Sequence, residues 1–214
     1  MTTVTLTVIR HADVVWPPDS QGQPLCYGAT DLPAHAEATR RAALAWAAHC
    51  MPDDWRQARC YASGLQRTHQ LVHAVHDVLQ TAHPDGPPLP TVCVDARLNE
   101  FDFGRWEGVP WAAIPQWAVD EWVADFADHP FGGHETVRQM LQRVRAALAD
   151  AVRAAHEEGQ TRVYWFAHAG TARAVHWAAR HPSCKAPLAA EWPVLDVPPG
   201  GMVHFTLDPR VFTG

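Results

Sequence analysis

The sequence predicts an α/β protein, a three-layer α/β/α sandwich around a mostly parallel central sheet. Two observations carry that expectation. Short apolar, β-branched runs alternate with longer Ala-, Leu- and Arg-rich segments of helical spacing, which is the order that builds parallel strands covered on both faces. Side chains able to do chemistry also stand just beyond those runs, where an open sheet gathers its loops into a shared crevice.

In chain order, the strand-like runs are Thr5 to Ile9, Ala58 to Ala62, Thr91 to Val94, Arg162 to Ala167 and Met202 to Leu207. The segments with helical spacing are Ala36 to Cys50, Leu65 to Leu79, Glu135 to Glu158 and Thr171 to Arg180. Proline-bearing stretches, Trp16 to Pro33 and Pro84 to Pro90, read as loops, and neither is long or polar enough to divide domains. The chain therefore reads as one domain over 1–214, with an insertion at about 106–134. That insertion carries Trp106, Trp111, Trp117 and Trp122 with no Lys or Arg, and reads as a short helical lid.

Composition narrows the class. At 214 residues with 47% hydrophobic content the chain can bury a real core. The opening MTTVTLTVIRHAD lacks a basic, then apolar, leader, and no stretch approaches membrane-spanning length, so the expected address is the cytoplasm. A net charge of -6, with Lys185 the only lysine, argues against a nucleic-acid or membrane partner. Cys26, Cys50, Cys60, Cys93 and Cys184 are odd in number and lack close pairing, so reduced, mostly buried thiols are expected. Apolar content is compatible with a homodimer without requiring one.

The strand ends supply the chemistry. Arg10 and His11 end the first run, and Ser63 follows the second with Arg67 one turn later. Glu100 lies a few residues past the third, and His168 closes the fourth. Two histidines among two arginines and a carboxylate suit phosphoryl transfer, which needs an in-line nucleophile, positive charge around the equatorial oxygens and a proton for the leaving group. A zinc site on His69, His73 and His76 is the rival reading, since His69 and His73 share a helix face, but no third strong ligand is identifiable.

These residues sit in recognisable segments. VIRHAD resembles the Arg-His-Gly signature of the histidine phosphatase superfamily, also called phosphoglycerate mutase-like. YASGLQRTHQ is similar to its S-x-L-x-R-[TS] helix start, RLNEFDFGRWEG to its L-x-E-x-x-F-G-x-W-E-G motif, GGHETVRQMLQRV to its G-E-[ST] helix entry and WFAHAGTARAV to its second-histidine motif. The resemblance runs from Val8 to about Val175 and implies the phosphoglycerate mutase-like sandwich. It further implies that His11 is phosphorylated, that Arg10, Arg67 and His168 hold the phosphate, and that Glu100 is the general acid and then base. No metal and no cofactor is implied. Glu107, the other carboxylate of the motif, is expected to brace its loop.

Departures from the pattern bear on specificity. Ala12 replaces the usual glycine, and Pro17 stands where many mutase-like members have a phosphate-contacting asparagine. CYGATDLP resembles the G-x-x-D-x-P-L loop of α-ribazole phosphatases of cobalamin biosynthesis, and Cys26, Tyr27 and Gly28 of that loop, with Trp106 of the insertion, are the expected substrate contacts. The tryptophan-rich, cation-free insertion favours a small-molecule phosphate ester with an apolar or aromatic body over a small bisphosphate. The short tail after Leu207 favours hydrolysis over mutase chemistry. A phosphoglycerate mutase-type phosphotransferase, or a non-catalytic phosphate-binding module on the same fold, is the alternative.

Overall fold

The computed structural model describes residues 3–20, 22–49, 55, 57–84, 90–181, 183 and 185–212. Cys50, Cys184 and most of the loop expected between Pro84 and Pro90 lie outside them. Five strands form: β1 (Val4–Arg10), β2 (Arg59–Ala62), β3 (Val92–Val94), β4 (Arg162–Ala167) and β5 (Met202–Leu207). The helices are α1 (Ala36–Ala47), α2 (Gln66–Ala82), α3 (Gln116–Ala124), α4 (Val137–Glu157), α5 (Ala169–Arg180) and the short α6 (Pro209–Phe212). The sheet runs β3-β2-β4-β1-β5. All neighbours are parallel except β1 and β5, so the sheet is mostly parallel with one antiparallel edge strand.

The pleat of the central strands explains the three layers. Successive side chains of a strand leave opposite faces. Val163, Trp165 and Ala167 of β4, with Leu6 and Val8 of β1, pack on one side against Val144, Leu148 and Val152 of α4 and Ala174 of α5. Tyr164 and Phe166, with Ile9, Cys60 and Ala62, enter a second core with Trp46 of α1 and Leu71 and Val75 of α2. Both faces of β4 are thus buried from Val163 onward, which is why the run from Val163 to Ala167 does not alternate with polar residues.

Helix boundaries depart from the sequence expectation where capping decides them. The fourth helix starts at Val137 rather than Glu135, because Thr136 and Gln139 form a reciprocal capping box. The fifth starts at Ala169, two residues before the expected Thr171, with His168 as a cap that makes no side-chain capping bond. Helix α2 has no local side-chain cap either; Asp31 supplies one from a distant loop by accepting from the Gln66 amide at 2.7 Å. The segment expected as a helical lid holds α3 and short 3-10 turns such as Trp111–Ala113, the rest being irregular. No helix among the described residues is long and apolar enough to cross a membrane.

Candidate active site

Parallel register brings the two histidines together. Arg10 of β1 pairs with Ala167 of β4, so the next residue of each strand, His11 and His168, stands side by side at the carboxyl edge. Their rings lie 5.1 Å apart at 61°. Ser63, at the end of the neighbouring β2, donates its amide to Phe166 O of β4, which aligns the third strand end with the other two.

The state of His11 follows from one hydrogen bond. Its Nδ1 lies 2.7 Å from Ala12 O, a carbonyl that can only accept, so Nδ1 carries the proton and Nε2 keeps its lone pair. Burial lowers the ring pKa to about 3, with Arg67 and then Arg10 pushing the same way against the Ala12 bond. The imidazole is neutral and nucleophilic at any ordinary pH.

The surrounding arginines are anchored by backbone carbonyls. Arg67, fully buried, gives Nη2 to Gly28 O at 2.6 Å and Nη1 to Thr30 O at 2.8 Å, and its guanidinium sits 5.3 Å from the centre of the Tyr27 ring. Arg10 anchors Nη1 on Val197 O at 2.8 Å. Arg10 Nε, Arg67 Nε and His168 Nδ1 are nonetheless buried with no hydrogen-bond partner. Unpaired buried polar nitrogens carry a desolvation cost, and three of them around one nucleophile describe a socket for a polyoxyanion. The pKa of His168 is driven well below its ordinary value by burial, then by His11 and by Arg67, so this ring too is neutral.

The two carboxylates are sorted by their partners. Glu100 lines the cavity beside His11, its Oε2 accepting from Gly170 N at 2.9 Å and its Oε1 from Phe101 N at 3.0 Å. Gly170 belongs to the first turn of α5, whose amides lack helical acceptors and take one from outside the helix. Arg143 secures the Glu100 loop by donating to the carbonyls of Arg97, Asn99 and Glu100 while pairing with Glu135. Glu107 faces away from the cavity and ties down the loop at 28–30, accepting from Gly28, Ala29, Thr30 and Phe103 amides and from the Thr30 hydroxyl.

A cavity of about 410 Å³ opens beside Arg10, His11 and Glu100, its other walls aromatic and apolar side chains including Tyr27, Phe103, Trp111, Trp122 and Trp192. Of the expected substrate contacts, only Tyr27 lines it. Cys26 is fully buried, its amide bonded to Val109 O. Gly28 packs so closely that a Cβ would stand 1.8 Å from Phe101 O, and its carbonyl is spent on Arg67. Trp106 packs on Phe131 behind the cavity wall. These three shape the loop rather than face the cavity, because the loop turns its backbone toward Arg67 and Glu107. Of the other lid tryptophans, Trp122 stacks on Phe131 at 4.5 Å and Trp117 is 54% exposed. The sequence reading missed Arg173, Met140 and Trp192, which reach the cavity from α5, α4 and a late loop. Only Arg173 left a signal, a cation one turn beyond His168.

Among the described residues no group of three His, Cys, Asp or Glu side chains could hold a metal. Of the zinc trio, His76 instead packs edge-on against Trp55 at 6.1 Å.

A model of the histidine phosphatase superfamily (branch 1) matches residues 6–199. The chain belongs to the histidine phosphatase superfamily. Solved structures agree in fold. "Mycobacterial hydrolase 2" is 23% identical with a TM-score of 0.71, covering 96% of this chain and 83% of its own. A mycobacterial glucosyl-3-phosphoglycerate phosphatase is 23% identical with a TM-score of 0.68, covering 94% and 89%. A Thermus thermophilus protein is 24% identical with a TM-score of 0.58, covering 94% and 92%. No curated protein matches the chain.

Proposed function

We propose that this protein is a cytoplasmic, metal-independent phosphomonoesterase that passes a phosphoryl group from an ester to His11 Nε2 and then to water. The observation that carries this reading is the set of three buried, unpartnered nitrogens, Arg10 Nε, Arg67 Nε and His168 Nδ1, beside a neutral histidine whose proton is pinned on Nδ1. Nε2 attacks phosphorus in line, and the three donors receive the equatorial oxygens as charge spreads over them. Glu100 gives a proton to the departing ester oxygen, then takes one from the water that cleaves phosphohistidine. The aromatic walls suit an apolar or aromatic substrate body. The aromatic base of α-ribazole 5'-phosphate meets that description, and the CYGATDLP loop points the same way.

Arg173 favours a second reading. Its guanidinium lines the cavity yet makes no hydrogen bond or ion pair with any described residue. It could hold another anionic group, so a substrate with two acidic ends, including a mutase-type bisphosphate, has one specific support. The test is release of inorganic phosphate from p-nitrophenyl phosphate, α-ribazole phosphate, nucleotides and 3-phosphoglycerate, with EDTA present and His11→Ala as control. Turnover that survives EDTA and vanishes in H11A supports the reading, and a higher kcat/KM for 3-phosphoglycerate than for aryl esters overturns the aromatic preference. Phosphate moved between two hydroxyls with little release favours the mutase.

A further inference from the structure

We propose that Ser63 is a positioning residue that fixes the tautomer of His168, so that the ring presents an Nδ1–H donor to a bound phosphoryl group. The inference rests on the phosphate-socket reading of the site and follows from counting protons. Ser63 Oγ, fully buried, has three polar neighbours: Leu65 N at 3.2 Å, Thr68 Oγ1 at 3.1 Å and His168 Nε2 at 2.9 Å. The Leu65 amide can only donate. Thr68 has one hydroxyl proton and two carbonyls in reach, Leu65 O at 2.8 Å and Ser63 O at 3.3 Å, which can only accept. Thr68 therefore spends its proton on a carbonyl and can offer Ser63 only a lone pair.

That leaves the single Ser63 proton with two destinations. If it goes to Thr68, the neutral His168 ring must put its own proton on Nε2 to bond Ser63, and Nδ1 is left as a bare lone pair. If it goes to His168 Nε2, the ring proton sits on Nδ1. Nδ1 is the buried nitrogen with no protein partner, on the ring that lies 5.1 Å from His11. A lone pair there would repel phosphoryl oxygens, whereas an N–H would bind one, so an anion in the socket selects the second arrangement. Burial and the neighbouring cations hold the ring neutral, which is what makes the choice between one proton on Nδ1 and one on Nε2.

The proposal separates Ser63 from a residue that merely packs the helix start. With uniformly ¹⁵N-labelled protein and saturating inorganic phosphate, long-range ¹H–¹⁵N spectra of the imidazoles should show His168, assigned by comparison with His168→Gln, protonated on Nδ1 alone. Ser63→Ala removes the donor to Nε2, so phosphate affinity should fall tenfold or more and the Nδ1-protonated signal should be lost or mixed. Ser63→Thr should restore both, and Thr68→Val, which leaves His168 as the only acceptor for Ser63, should keep the Nδ1-protonated ring even if S63A fails to fold. A phosphate-bound His168 protonated on Nε2 alone or on both nitrogens overturns the proposal, as does S63A with wild-type affinity and spectrum. The readout is a spectrum and not turnover. A protein that hydrolyses no ester but shows this tautomer would sink the phosphatase reading and leave the inference standing.

Discussion

Replacing Glu107 by Gln tests how the socket is built from behind. The Glu107 carboxylate accepts five hydrogen bonds: Oε2 takes Gly28 N at 3.0 Å, Thr30 N at 3.0 Å and Thr30 Oγ1 at 2.5 Å, and Oε1 takes Ala29 N at 2.9 Å and Phe103 N at 3.0 Å. Whichever end of a glutamine carries the NH₂ group, at least two donors then face another donor. Bonds to a charged acceptor contribute roughly 1.5–3 kcal/mol each, and the lower figure suits this half-buried site, giving a loss of about 3 kcal/mol. The same loop offers Gly28 O and Thr30 O to Arg67, so a loosened loop should also release the guanidinium and weaken phosphate binding. Glu100→Gln is the internal comparison, because each Glu100 oxygen takes a single amide and only one bond is lost. Urea denaturation with the slope checked for constancy, together with phosphate affinity on the folded protein, reads both effects. An E107Q protein within about 1 kcal/mol of wild type, or no less stable than E100Q, would refute this account of the loop.

Three further outcomes follow from the geometry. Gly170→Ala places a Cβ 2.1 Å from Glu100 Oε1, so the carboxylate must move; aryl phosphate hydrolysis should fall roughly 100-fold, and wild-type turnover would contradict Glu100 as the proton-transfer group. Arg143→Lys cannot reach the three carbonyls and Glu135 together, so kcat should fall more than KM rises, and an unchanged kcat would show that Arg143 does not position Glu100. Acid should destabilise the fold through His11, whose pKa is depressed to about 3 by burial and by Arg67 and Arg10. The unfolded chain binds the extra proton between that value and about 6.5, so stability falls with falling pH, by about 2 kcal/mol from pH 7 to pH 5, and the depressed His168 adds to the loss. His11→Asn should lose about 2 kcal/mol less over that interval, and an identical loss in both proteins would refute the burial argument.

Much of the frame was legible in the chain. The runs Arg162–Ala167 and Met202–Leu207 coincide with β4 and β5, because β-branched and aromatic runs bounded by turn residues have few other uses. The placement of Arg10 at the last position of β1, and of His11, Ser63, Arg67, Glu100 and His168 beyond strand ends, followed from the same pattern. The start of α5 was not legible, since His168 caps it without a side-chain bond, and neither was the capping of α2 by Asp31 thirty-five residues away. The expected substrate contacts Cys26, Gly28 and Trp106 failed to reach the cavity because adjacency to a motif says nothing about which way a loop faces.

By itself the sequence determined the α/β alternation and the chemical types delivered to the sheet edge, because helical and strand periodicities are local properties that survive in the unfolded chain. Tertiary structure decided the rest. Which nitrogen of His11 keeps its lone pair depends on Ala12 O, and the two carboxylates are held apart by Gly170 N and by the loop at 28–30. The cavity wall combines Tyr27, Trp122, Met140, Arg173 and Trp192 from five separate stretches of chain. Gly170 N and the loop at 28–30 lie far in sequence from the carboxylates they serve, as the cavity walls do from one another, and no local pattern encodes which partners meet.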